Sequence, residues 1–198
     1  MEQPLLLLLP LVLLSFCSGQ DWTPPDFCHQ KKCPQYTLIE QHQDFEERHY
    51  VASDWITTKI ESTTSSSLMS ARSRLKEYCE RQRDAGHEIS DDTWPVLITN
   101  RGDQHLSLSW FVPPGTTKPE NTDEVTLTSK PEGTVYVKVF DGIPSIESGQ
   151  ENMEKLWIAL GKDCTDPPTY SAVYYDTYFS LYHHNEIWIY ADDKSKCN

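Results

Sequence analysis

Residues 134–161 read TVYVKVFDGIPSIESGQENMEKLWIALG. In the opening run, Val135, Val137 and Val139 alternate with Tyr136, Lys138 and Phe140, the period of a β-strand. Asp141-Gly142 then signals a turn. The period changes further on. Met153, Leu156, Trp157 and Leu160 share one face of a helix predicted over 150–160, and Gly161 stops it. Strands are predicted next over 172–178 and 186–190.

The same order occurs upstream. Residues 55–60 alternate Trp55, Thr57 and Lys59 against Ile56, Thr58 and Ile60. The polar stretch 62–67 supplies helix N-caps. A helix over 68–83 then places Leu68, Ala71, Leu75 and Cys79 on one face, with Gly86 as its stop. Strands follow over 96–99 and 106–112, the second alternating Leu106, Leu108, Trp110 and Val112 with smaller polar residues. Shorter strands fit 36–39, 45–50 and an edge segment at 125–127. Strand, helix, two strands, and then the same again predicts an α+β fold of two similar βαββ halves.

The chain has 198 residues, 17 Lys+Arg against 30 Asp+Glu, and a formal net charge of −13. That length suits one domain, and the acidic balance argues against nucleic acid or an anionic membrane as partner. A mean hydropathy of −0.58 excludes a multispanning membrane protein. Residues 5–16, LLLLLPLVLLSF, are too few to span a bilayer and are followed by Cys17, Ser18 and Gly19. This pattern predicts a secretory signal over 1–19 and a secreted, extracellular protein. A Cys- and Pro-containing extension is then expected over 20–35, the folded domain over 36–191 and a tail over 192–198.

Signal cleavage leaves Cys28, Cys33, Cys79, Cys164 and Cys197 in an oxidising compartment. The simplest arithmetic is two disulfides and one thiol. A Cys33–Cys79 bond is expected, because the first strand should begin near the end of the helix that returns antiparallel to it. The partners of the other cysteines stay open. Cys28 and Cys33 have no matching Cys or His pair downstream, which argues against structural zinc.

No Gly-rich phosphate loop, nucleophile-elbow serine or paired zinc histidines are found, so no enzyme is expected. Arg72, Arg74, Lys76, Arg81 and Arg83 crowd one helix. They form either a cationic strip for an anionic ligand or a solvated face whose last charges suit the helix dipole, and the second weighs more. In 45–50, Phe45, Glu47 and His49 share a face, and a histidine beside aromatics can ligate haem iron. Arg101-Gly102-Asp103 lies between two strands. It reads as an ordinary turn, or as an adhesion ligand on an exposed tip.

Four strings carry a resemblance. Val135-Tyr136-Val137-Lys138-Val139-Phe140-Asp141-Gly142 resembles the V-x-V-x-x-F-D-G strand of the SOUL haem-binding family, and Asn185-Glu186-Ile187-Trp188-Ile189 its N-E-[IV]-W-[LI] ending. Phe45-Glu46-Glu47-Arg48-His49-Tyr50 with Trp55-Ile56 is similar to its Y-E-I-R-x-Y…W-V segment, and Thr93-Trp94-Pro95-Val96 sits at its M-T-x-P-V. All four fall in register over 36–191. The resemblance implies a distorted antiparallel β-barrel of two βαββ halves with two helices. It also implies non-catalytic binding of haem or a free porphyrin.

Two sites are implied. In one branch a histidine in the first arginine-containing strand is the iron ligand, and His49 matches it. In the other, an apolar cleft lies between the first helix and the loop before the final strand. Met69, Arg72 and Lys76 would border it on one side, and Tyr178, Phe179 and Leu181 on the other. The family helix carries methionines where Arg72 and Lys76 align, and a family lysine is replaced by Phe179. The implied roles are therefore propionate pairing by Arg72 or Lys76 and ring stacking by Phe179. The other reading is a protein-interaction module on the same fold, acting through Arg101-Gly102-Asp103 or a helix surface.

Overall fold

Alternation along the strands sorts the large apolar side chains onto two faces of one sheet. Ile187 and Ile189 pack toward the helices while Trp188, between them, packs on the opposite face. The same division separates Ile56 from Trp55, Trp110 from Phe111, and Ala172 from Val173. The computed structural model describes residues 22–87, 93–102, 105–161, 168–177 and 179–191. Their elements are β1 (Tyr36–Gln41), β2 (Glu46–Tyr50), β3 (Ser53–Ile60), α1 (Ser65–Asp84), β4 (Val96–Asn100), β5 (Leu106–Val112), β6 (Thr126–Lys130), β7 (Gly133–Phe140), α2 (Ile146–Ala159), β8 (Tyr170–Tyr174) and β9 (Asn185–Tyr190).

The nine strands pair antiparallel in the order β1-β2-β7-β9-β8-β4-β5-β3-β6. Within that order the two βαββ halves are visible as β3-α1-β4-β5 and β7-α2-β8-β9. Each places its third strand between the other two. The halves join through their second strands, β4 and β8, with Leu97 opposite Val173. The sheet stays open between β1 and β6, so the fold is α+β with a distorted, unclosed barrel.

Both helices lie on one face. α1 is capped by Thr64, whose side chain accepts from the Ser67 N–H, and it buries Ala71, Leu75, Tyr78 and Cys79. α2 begins a turn earlier than its apolar periodicity predicts. A Ser145–Ser148 capping box starts it, and Gly149 is buried against β8. A Cβ at Gly149 would meet Ala172 Cβ at 2.9 Å, so glycine allows the close approach of helix and sheet.

The helix-free face is covered by the N-terminal extension. Cys28 is bonded to Cys33, and both are buried with Trp55, Phe111, Tyr175 and Trp188. This overturns the expected Cys33–Cys79 bond. Cys79 faces the opposite core with Leu75 and Tyr78, so the sheet itself stands between the two cysteines. Cys164, Cys197, the predicted signal over 1–19 and the tail over 192–198 lie outside the described residues. Among the described residues, no helix is long and apolar enough to cross a membrane.

Candidate functional site

α1 is fastened to β3 by one of its cations. Arg74 Nε donates to Thr58 Oγ1 at 3.0 Å, and its guanidinium also donates to the Lys59 carbonyl. This fixes the helix rotation. Met69, Arg72 and Lys76, three and four residues apart, consequently border a cleft of about 420 Å³. Its walls include Trp94, Val96, Ile98, Leu108, Trp110 and Tyr174.

The cleft combines apolar depth with a cationic edge. Arg72 and Lys76 are exposed, and Lys76 Nζ reaches Glu80 only at 3.8 Å. Thr93 Oγ1 is buried in the lining and has no hydrogen-bond partner among the described residues. The Tyr174 hydroxyl is already spent, donating to the Ser145 carbonyl at 2.7 Å, and burial pushes its pKa up. Thr93 thus brings a buried hydroxyl to the lining that has no partner among the described residues.

Asp176 and Thr177 close one end of the cleft. Phe179 and Leu181 follow on the same loop but outside the lining, at 91% and 94% exposure. Tyr178 lies outside the described residues. His49 is elsewhere. It is exposed on β2, opposite Thr37 of β1 and Thr134 of β7, and does not line the cleft. Arg101 is exposed at the β4–β5 hairpin, where Gly102 adopts φ +83° and its carbonyl accepts from the His105 N–H at 2.9 Å. Asp103 of that turn lies outside the described residues. On the β1–β2 hairpin, Glu40, His42 and Glu47 bring ligand atoms within 4.8 Å of one another, and His42 Nε2 has no hydrogen-bond partner among the described residues.

A separate polar centre is buried on the helix-free face. Glu186 is fully buried, and its carboxylate accepts from Arg48 Nη1 at 2.9 Å, Trp188 Nε1 at 2.7 Å and the Tyr175 hydroxyl at 3.1 Å. His184 Nε2 lies 2.9 Å away. Burial alone would raise the Glu186 pKa. The His184 hydrogen bond, the Arg48 and His184 charges and the Trp188 donor outweigh it, and the carboxyl is held below its usual range. Arg48 also donates to Glu46 at 2.6 Å and to the Tyr50 hydroxyl at 3.0 Å, with the Tyr36 ring over its guanidinium at 4.3 Å. With its donors and acceptors facing inward, this centre is a structural clamp.

These residues coincide with shared sequence. The sequence profile of SOUL heme-binding proteins matches residues 31–190. The chain belongs to the SOUL heme-binding protein family. Heme-binding protein 2 of Mus musculus is 25% identical over 171 residues, covering 80% of this chain and 82% of that protein. Heme-binding protein 2 of Homo sapiens is 25% identical over 162 residues, covering 75% and 78%. A solved structure described as a bacterial transcription regulation protein from Staphylococcus aureus covers 75% of this chain and 98% of its own. At 11% identity and a TM-score of 0.42, that likeness carries no argument.

Three of the four SOUL strings fall on the adjacent strands β2, β7 and β9, and they include Arg48 and Glu186. The fourth contributes Thr93 and Trp94 to the cleft. Sequence reasoning used these residues for recognition and missed their places. The signal for Arg48 was its parity with Tyr50 on an alternating strand. Trp110 was legible as an inward-facing residue, but not as a cleft wall.

Proposed function

We propose that this SOUL-family chain binds haem or a free porphyrin, without catalysis, in the cleft beside α1. The observation that carries the reading is the pairing of aromatic walls with cations at one edge of the same pocket. A porphyrin is a flat apolar ring with two carboxylates on one side. Trp94, Trp110 and Met69 suit the ring, and Arg72 and Lys76 suit the propionates. Phe179 and Leu181 are exposed on the loop that follows Thr177 of the lining, from which Phe179 can stack on an outer ring face.

The described lining contains no histidine. Recognition in this cleft therefore rests on ring and propionates, and His49 as iron ligand belongs to a separate, exposed site. The names of the two relatives, both Heme-binding protein 2, support the ligand class. The leader over 1–19 supports an extracellular carrier or scavenger role, and N-terminal sequencing of the chain recovered from culture medium tests it.

The binding reading is tested by titrating haemin into the protein and following the Soret band. Wild type should saturate. Arg72→Glu with Lys76→Glu should weaken binding by about tenfold or more, since each charged hydrogen bond is worth roughly 1.5–3 kcal/mol. His49→Ala should leave the curve unchanged. Loss confined to His49→Ala would move the site to β2. Uptake that never saturates would end the reading and leave the exposed Arg101 turn, as a protein-binding surface, to be tested next.

A further inference from the structure

The described structure holds a larger cavity than the helix cleft. A cleft of about 700 Å³ opens where the N-terminal extension meets the ends of β3, β5 and β6. Trp22, Pro24 and Pro34 of the extension form one side, and Phe111, Pro113 and Pro114 the other. These rings and prolines make a rigid apolar slot that loses little entropy when a ligand fills it. Through Val51, Ser129 and Lys130 it continues into a hollow of about 410 Å³, so length is not restricted.

Its charge is the reverse of the chain's. Lys32, Lys118 and Lys130 line the slot, arriving from the extension, the β5–β6 loop and β6. Lys118 is the sole cation in a loop that carries Glu120, Asp123 and Glu124. Asp54 is the only carboxylate in the described lining, and it is already engaged by Ser129 Oγ at 2.5 Å and Lys118 Nζ at 3.7 Å. A protein of net charge −13 thus gathers lysines around one apolar slot. At physiological salt their field is felt within about 8 Å, which is the reach of a bound ligand rather than of a distant partner.

We propose that the N-terminal extension completes a second binding site, for an amphipathic organic anion with an aromatic or aliphatic body and a carboxylate or sulfonate head. The body lies between Trp22, Phe111 and the prolines, and the head meets Lys32 and Lys130, the second turning to it from the Tyr190 ring, over which its Nζ lies at 4.4 Å. The site shares no lining residue with the helix cleft and does not depend on the porphyrin reading.

The test uses 8-anilinonaphthalene-1-sulfonate as probe, titrated by fluorescence, with haemin titrated in parallel. Lys32→Glu with Lys130→Glu should weaken the probe about tenfold and leave haemin binding unchanged. Arg72→Glu with Lys76→Glu should do the opposite. The neutral analogue N-phenyl-1-naphthylamine should bind more weakly and ignore the lysine changes. Far-UV dichroism of each variant checks that the fold is kept. An unchanged probe affinity in the lysine variant would overturn the proposal. So would loss of the probe in the arginine–lysine variant, or its displacement by one equivalent of haemin, because the probe would then sit in the helix cleft.

Discussion

Glu186 is the residue on which the helix-free core turns. It is a fully buried carboxylate whose partners come from β2, from the residue that follows β8, from the approach to β9 and from β9 itself. Glu186→Ala leaves the Arg48 guanidinium, itself 2% exposed, with the part-buried Glu46 as its remaining carboxylate beside the neutral Tyr50 hydroxyl. Removing one partner of a buried ion pair costs about 3–5 kcal/mol, and urea unfolding should show a loss of that order. Because the folded Glu186 pKa lies below its usual value, its contribution is complete above the unfolded carboxyl's pKa of about 4.3. It falls away as pH drops from there through the folded value. Wild type should therefore lose stability in that acid window, and Glu186→Ala should lose less there. Parallel slopes for the two proteins would contradict the clamp.

Among the elements, α2 and the N-terminal extension make opposite demands. α2 needs a missing side chain. Gly149→Val would drive a branched Cβ into Ala172 Cβ and the Tyr174 hydroxyl, 2.9 and 3.2 Å from the ideal Cβ position. The overpacking should cost about 2 kcal/mol, read as a lower thermal midpoint. A midpoint equal to wild type would mean that helix and sheet separate freely. The extension needs its staple. Beyond Cys28–Cys33, it is held by Phe27 stacked on His184 at 3.9 Å and by His29 against Asp176 at 2.9 Å. Cys28→Ser with Cys33→Ser should lower stability by about 2 kcal/mol on loop entropy. No change in denaturation would show that the aromatic contacts suffice without the bond.

Element identity was readable because each period was clean. The run from Val135 to Phe140, the helical spacing of Ala71, Leu75 and Cys79, and the stops at Gly86 and Gly161 all agree with the structure. The start of α2 was not readable from hydrophobicity, because its first turn is held by serine capping rather than apolar spacing. The cysteine pairing failed for a different reason. Sequence placed Cys33 and Cys79 near each other along the chain direction, but it could not say that the extension crosses to the other face of the sheet.

At the scale of the molecule, one open sheet separates two kinds of surface. The helix side carries the cleft bordered by α1, and the other side carries the buried Arg48–Glu186 centre under the stapled extension. Met69, Arg72 and Lys76 could be assigned to a cleft in advance because the family resemblance implied it, and their i, i+3, i+7 spacing keeps them on one helix face. Thr93, Trp94 and Trp110 could not, since a cleft wall built across strands depends on pairing that no local period encodes. His49 illustrates the same limit. Its parity was read correctly, yet parity alone did not reveal an exposed position distant from the cleft lining.

The claim that the porphyrin occupies the cleft beside α1 can be read from the chain's own tryptophans. Metal-free protoporphyrin IX, which is diamagnetic, would be titrated into ¹⁵N-labelled protein while the indole resonances are followed. At the lowest ligand ratios Trp94 and Trp110 should shift strongly from ring current, while Trp55 and Trp188, buried on the helix-free face, should stay in place. Shifts led by Trp55 and Trp188, or saturation that leaves Trp94 and Trp110 unmoved, would contradict the account.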